Sequence, residues 1–278
     1  MSENNKRGYL NENYLMFHIK DKRDVDFESH SHDFHKIILC LSGSVTYVME
    51  GKTYSLDPKQ MLFVPKGTIH KSILNSNETY ERIVLWINDD YLRSYEEDEN
   101  SLATCFDMAS CSRLCAVTAD KNSYGALMRC VTEMESLSGS HLFASKTMRD
   151  AYFIQLMVIF NRLMLEQKPG PRSYISDPKF DEILVYINDN LKAELSAEEL
   201  CTRFFLSRSY LMHRFKQLTG CTLHSYVVQK RLTFALERLK QGIGASAAAE
   251  ESGFSDYTVF YRNFKKMFGV APGEITRK

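Results

Sequence analysis

The sequence predicts an α+β chain of two domains, with a β-barrel or sandwich in front and an all-α domain behind. Three observations predict it. Short apolar runs separated by turn residues fill the stretch from Asp33 to Trp86. From about Ser123 onward the apolar period changes to three- and four-residue steps. Charge also divides unequally about a Pro/Gly segment near residue 169. The 278 residues are 44% apolar and 25% charged, the make-up of a packed globular chain rather than a disordered one. That length suits two medium domains.

The front half reads as strands. Residues 37–41 form an apolar run, and Ser42-Gly43-Ser44 turns the chain into residues 45–49. Glu50-Gly51-Lys52 turns it again before residues 53–56. Asp57-Pro58 precedes residues 61–64, Pro65-Lys66-Gly67 follows them, and residues 82–87 are the last strong strand. Short strands with such closely spaced turns mark a sandwich or barrel. Leu127, Met128, Val131, Met134 and Leu137 then recur at helical steps, and Ser138-Gly139-Ser140 breaks them. A second helix covers about 144–166. Its middle, residues 151–160, is apolar nearly all round, which suits core packing or a subunit interface. Lys168-Pro169-Gly170-Pro171 ends it and reads as a linker. Six or seven helices fit the remainder, where Phe180, Ile183, Leu184 and Ile187 form one stripe. The expected divisions are a sensing domain at 1–120, a helical dimerisation segment at 121–168, a linker at 169–177 and a helical domain at 178–278.

The formal net charge is zero, which at first argues against a nucleic-acid partner. Divided at the linker, the balance changes. Residues 1–170 hold 19 Lys/Arg against 23 Asp/Glu, and residues 171–278 hold 16 against 12. From Arg203 to the end there are 13 basic and 5 acidic residues. No apolar run reaches the roughly 18 residues of a membrane-spanning helix, and the first 30 residues lack a signal-peptide core. The seven Cys form no C-x-x-C pair and are expected as reduced thiols in a cytoplasmic protein. Cys105, Cys111 and Cys115 cluster enough to raise a thiol switch, against the plainer reading of free, partly buried Cys.

The basic half carries two helix-turn-helix patterns. In residues 196–216, Ser196 caps a short helix with Glu199 three residues on. That helix ends near Phe204, and Ser207 caps the next. There Leu211 and Phe215 face inward, while Ser209, Met212, His213 and Lys216 face outward. In residues 245–266, Gly253 suits a turn with positive φ and Ser255 can cap. Phe260 and Phe264 repeat the inward spacing, and Tyr257, Thr258, Tyr261 and Arg262 face outward. The second helix of such a motif enters the major groove, so residues near its N-terminus reach base edges. Lys216, Lys265 and Lys266 can neutralise phosphates.

The run Gly253-Phe254-Ser255-Asp256 through Phe260-Tyr261-Arg262-Asn263-Phe264-Lys265-Lys266 to Phe268-Gly269-Val270-Ala271-Pro272, with the segment 207–215, resembles the AraC/XylS family of bacterial transcription regulators over about residues 178–278. The resemblance implies two helix-turn-helix units joined by one long helix, here about 223–240. Carried over by position, it implies base reading by Ser209, Met212, His213, Tyr257, Thr258 and Arg262. The implied DNA-binding surface also takes in Ser207, Arg208, Lys216, Ser255, Tyr261, Lys265 and Lys266. Two departures stand out. Ala245 and Ala248 occupy positions where Ile is usual, each forfeiting roughly 1–3 kcal/mol of apolar burial. Phe205 occupies a turn position where Gly is common, which predicts strain.

His30-Ser31-His32, Gly43 and Pro65-Lys66-Gly67-Thr68-Ile69-His70 resemble the two cupin motifs, so the front half is expected as a cupin-like β-barrel followed by a helical pair. His30, His32 and His70 match three metal-ligand positions. The position of the fourth, a Glu, falls on Lys36, and His35 is expected on the opposite strand face. The expected role is a small-molecule pocket at His30, His32, Lys36 and His70 for an anionic or hydroxyl-rich effector, with no metal and no cofactor. The reading is therefore a non-enzymatic, ligand-responsive regulator that binds double-stranded promoter DNA as a homodimer, with RNA polymerase as a further partner and no membrane contact. Its rivals are a metal-dependent cupin enzyme fused to a DNA-binding domain, and a regulator working through protein contacts or thiol oxidation.

Overall fold

The structure is a computed structural model that describes residues 9–22, 28–74, 79–96, 100–112, 115–166 and 177–275. The expected linker at Lys168-Pro169-Gly170-Pro171 lies outside the described residues. The front half contains β1 (Tyr14–Asp21), β2 (His35–Ser42), β3 (Val45–Met49), β4 (Lys52–Leu56), β5 (Gln60–Val64), β6 (His70–Leu74) and β7 (Tyr80–Ile87). After these come α1 (Asp89–Arg93), α2 (Thr104–Ser112), β8 (Ala116–Thr118), α3 (Lys121–Ser136) and α4 (Ser145–Leu165). A five-stranded sheet runs β1-β7-β2-β5-β8 and a three-stranded sheet runs β4-β3-β6. All pairings are antiparallel. The β-domain is thus two antiparallel sheets rather than one closed barrel.

Both faces of the larger sheet are covered, which is why β2 reads as an almost continuous apolar run. Phe63 of β5 packs edge-on against Phe106 of α2 and Phe160 of α4, and Tyr14 of β1 stacks on Phe153 of α4. The opposite face carries Lys36, paired across the ladder with Trp86 and Val64. Most of the apolar surround of α4 is core: Phe153, Leu156, Met157, Phe160 and Met164 are each 0–1% exposed.

The back half contains α5 (Pro178–Asp189), α6 (Ala197–Phe204), α7 (Arg208–Thr219), α8 (Leu223–Lys240), α9 (Ala245–Glu251), α10 (Tyr257–Phe268) and α11 (Pro272–Ile275). It has two cores. Phe180, Ile183, Leu200, Leu211, Phe215 and Tyr226 build the first, and Leu236, Leu239, Ala248, Phe260, Phe264 and Phe268 build the second. The long α8 serves both, with Leu223, Tyr226 and Val227 in one and Leu232, Ala235, Leu236 and Leu239 in the other. Among the described residues no helix is long and apolar enough to cross a membrane.

The helix starts follow local chemistry with two corrections. Ser196 accepts from Glu199 N and Ser207 from Tyr210 N. The capping box at Ser196 is only half made, because the Glu199 carboxylate accepts from the Tyr186 hydroxyl instead. Ser255 does not cap α10. Asp256, the residue immediately before the helix, accepts from Thr258 N and Val259 N, and its charge suits the helix N-terminus. Phe205 does adopt the left-handed conformation, φ 54°, with its ring exposed. Gly253 has φ +85°, and a Cβ there would stand 2.4 Å from Leu191 O, so this turn admits only glycine without rearrangement.

Candidate functional sites

The outward faces of α7 and α10 form the first site. Ser207, Arg208, Ser209, His213 and Lys216 are exposed on or beside α7. Ser255, Tyr257, Thr258, Tyr261, Arg262, Lys265 and Lys266 are exposed on or beside α10. Among the described residues, Lys216, Arg262, Lys265 and Lys266 have no ion-pair partner, so their charge remains available to an external group, and the exposed His213 ring offers its polar nitrogens beside them. Arg208 differs, being held by Glu198 of α6. Met212 also departs from expectation: it is half-buried and packs against the first core, so at most its tip faces outward.

The second site lies between the sheets. His30 and His70 exchange both backbone hydrogen bonds, at 3.1 and 3.0 Å, which brings His30 beside the start of β6. The His30–His70 and His32–His70 ring centroids are 4.6 and 4.9 Å apart. Each ring's Nδ1 meets a backbone carbonyl: Glu28 O at 3.0 Å, Phe34 O at 2.6 Å and Thr68 O at 3.0 Å. A carbonyl can only accept, so each Nδ1 carries the proton and each Nε2 is left as an acceptor. The Lys36 ammonium donates to His70 Nε2 at 3.0 Å. His32 Nε2 is buried without a partner. His30 is exposed and forms the rim, and Lys36 is half-buried. Beyond His32 runs an aromatic wall in which His32 stacks on Phe34 and Phe34 on Trp86, at 4.0 and 4.8 Å.

Burial pushes Lys36 down to about 7, and the neighbouring Arg82 charge adds to it. Burial likewise holds His32 and His70 far below the ordinary imidazole value, with the Lys36 charge acting in the same direction. The four residues expected to meet do so, but they do not fit a metal. The cation Lys36 stands where the cupin resemblance calls for a carboxylate and occupies the His70 nitrogen a metal would need. Among the described residues no three His, Cys, Asp or Glu side chains are grouped to hold a metal ion. His35 faces the other way, as expected. It bonds Asp89 at 2.9 Å and stacks on Phe106. The thiols do not gather into a switch either. Cys105 and Cys115 are buried, and burial raises both, Cys115 to about 11.

A set of contacts between the two halves has no counterpart in the sequence patterns. Glu50 accepts from the Tyr226 hydroxyl of α8, from Lys230 of α8 at 2.6 Å and from Ile69 N at 2.9 Å. Lys240 pairs with Asp33 at 3.1 Å, and Lys66 bridges Asp89 and Glu237. Ser29 Oγ donates to Thr219 O, and Ile69 is buried in the first core of the helical half. A cavity of about 410 Å³ also lies between the halves, lined by Lys52, Tyr54, Cys115, Leu184, Lys230 and Glu237 among others. It does not reach the His/Lys cluster. Of its lysines, Lys230 and Lys66 already have carboxylate partners.

The chain has relatives of known kind. The AraC-like ligand binding domain family matches residues 13–157, and a helix-turn-helix domain family matches residues 200–278. The HTH-type transcriptional activator RhaS of Escherichia fergusonii is 24% identical over 250 residues, covering 90% of this chain and 87% of that protein. RhaS of Escherichia coli is also 24% identical, over 252 residues, with 90% and 88% covered. Among solved structures, wild-type ToxT of Vibrio cholerae with a bound unsaturated fatty acid covers 96% of this chain and 97% of its own, at 16% identity and a TM-score of 0.40.

Proposed function

The chain belongs to the AraC family of transcription regulators, and from that premise we propose how its parts divide the work. The helical half binds DNA, and the β half is a ligand-binding domain. In our reading α7 and α10 enter successive major-groove segments. Ser209, His213 and the tip of Met212 meet bases from α7, and Tyr257, Thr258 and Arg262 from α10. Lys216, Lys265, Lys266 and Arg208 hold phosphates, aided by Ser207, Ser255 and Tyr261. Helix α8 is the spacer that sets the distance between the two reading helices. A small-molecule effector binds at His30, His32, Lys36 and His70. Two copies pair through the helices of segment 121–168, and the regulator works in the cytoplasm on promoter DNA beside RNA polymerase.

The observation that carries the reading is the pair of outward faces. Each presents unpartnered cations and hydroxyls on a helix whose opposite face is locked into its own aromatic core. A merely solvated helical domain has no need of two such faces in the same relation to two cores. The effector's leverage comes from adjacency. His30 and His70 belong to the cluster, while their neighbours Ser29 and Ile69 touch the helical half. A ligand that prefers one spacing of these segments shifts the balance between docked and released DNA-binding units.

The test is fluorescence anisotropy of a duplex from upstream of the chain's own gene against a scrambled duplex, across a salt series. Preference for the native duplex, with affinity falling steeply with salt, is the expected result. Equal binding to both duplexes at every salt concentration refutes the assignment of α7 and α10.

A further inference from the structure

We propose that the effector carries an oxyanion group, a carboxylate or phosphate, which seats on Lys36 with its body along Trp86. The inference rests on the ligand-sensing reading above and chooses between the anionic and the neutral, hydroxyl-rich ligands that the sequence left open.

Charge makes the choice. Four cations that reach into the β-domain or its border have carboxylates: Arg82 has Asp21, Lys66 has Asp89 and Glu237, Lys230 has Glu50, and Lys240 has Asp33. Lys36 has none among the described residues. Its hydrogen-bond partner is the neutral ring of His70, whose Nε2 accepts. The surrounding imidazoles are held in one tautomer by three backbone carbonyls, so they present acceptors and supply no negative charge. A half-buried ammonium without a counter-charge is costly, and a matching anion removes that cost. A neutral polyol leaves the charge as it was.

Two further features point into the same space. His32 Nε2 is buried and unpartnered, ready to accept from a ligand hydroxyl or a protonated acid. Trp86 sits directly across the ladder from Lys36, on the same sheet face, and extends the aromatic surface of Phe34. The site therefore pairs a cation with a flat apolar wall, and His30 at its edge is exposed.

Trp86 is the chain's single Trp, so its emission reports on this site in the full-length protein. The experiment titrates the full chain with matched acid and neutral pairs: benzoate and benzamide, gluconate and glucose, glycerol phosphate and glycerol. In parallel, anisotropy on promoter DNA follows the response of the whole regulator. The expected result is that an acid changes Trp86 emission and its neutral partner does not. Lys36→Met and Lys36→Gln weaken the acid by at least about tenfold, and Lys36→Arg keeps most of its affinity. If neutral members act as well as acids, or the acid effect survives in Lys36→Met and Lys36→Gln, the proposal is overturned while the ligand-sensing reading stands. If no member alters either Trp86 emission or DNA affinity, both are overturned. Asp24 and Asp26 precede the cluster in sequence and lie outside the described residues. An Asp24→Asn/Asp26→Asn chain that binds the acids about tenfold more tightly reveals an internal counter-charge and also overturns the proposal.

Discussion

Replacing Lys36 by Met should make the ligand-free protein more stable, by an amount that depends on pH. Burial lowers the Lys36 ammonium from 10.5 to about 7. At about 1.4 kcal/mol per pH unit, that gap sets an upper bound on the order of 5 kcal/mol for the cost of keeping the group charged. Lys36 is only half-buried, so solvent screening reduces the cost, and a net gain of about 1–3 kcal/mol is expected for the Met variant. The sign follows from proton counting. The unfolded chain keeps its proton up to about pH 10, while the folded chain gives it up near 7, so the unfolded state binds more protons in between. The cost is therefore present in full below about pH 7 and fades as pH rises toward 10. Thermal unfolding followed by Trp86 emission, at about pH 6 and about pH 9, measures this. The Met variant should melt higher by several degrees at the lower pH, and much of that advantage should vanish at the higher one. A variant that melts lower than the parent at about pH 6, or gains equally at both, refutes the unpaired-charge account of Lys36.

Three other perturbations test the remaining parts. Arg262→Ala and His213→Ala should each weaken binding to the preferred duplex by roughly 10- to 100-fold with little change on the scrambled one, whereas Lys265→Ala should weaken both and reduce the salt slope by about 1, read by anisotropy. Gly253→Ala forces a side chain into a left-handed turn and against Leu191 O; it should destabilise the second helix-turn-helix unit by at least about 1–3 kcal/mol, seen as a lower melting point and lost operator binding. Glu50→Gln leaves Lys230 without its carboxylate and weakens the bond from Tyr226, so amide exchange should speed up in the first half of α8, about residues 223–230, and around Ile69, while exchange in α9, α10 and the second half of α8 stays as in the parent.

What is legible in the sequence, and what is not, follows from the range of the interactions. Strands β2 to β5 and β7 can be read because turn residues bracket them, and α7 and α10 because local capping and aromatic spacing mark them; the limits of α8 come only from the family resemblance. The edge strand β1 carries the apolar run Tyr14-Leu15-Met16-Phe17, but it stands apart from the strand-and-turn series that begins at Asp33, and only its pairing with β7 shows it to belong to that sheet. The cap of α10 falls one residue later than the sequence suggests because Ser255 and Asp256 can both cap, and only the helix's actual start decides between them. The ion pairs of Glu50 with Lys230 and Asp33 with Lys240 join residues far apart in the chain, and no spacing encodes them. One signal of the domain contact is nevertheless present in the sequence. In extended chain, consecutive side chains point to opposite sides. Once His30 and His70 are given to one cluster, Ser29 and Ile69 must present themselves to whatever lies behind it, and Ile69 is apolar and next to a turn. An apolar residue there has to be covered, and the helical half covers it. The alternation that assembles the His/Lys cluster therefore also places a residue of the domain contact directly beside each of His30 and His70.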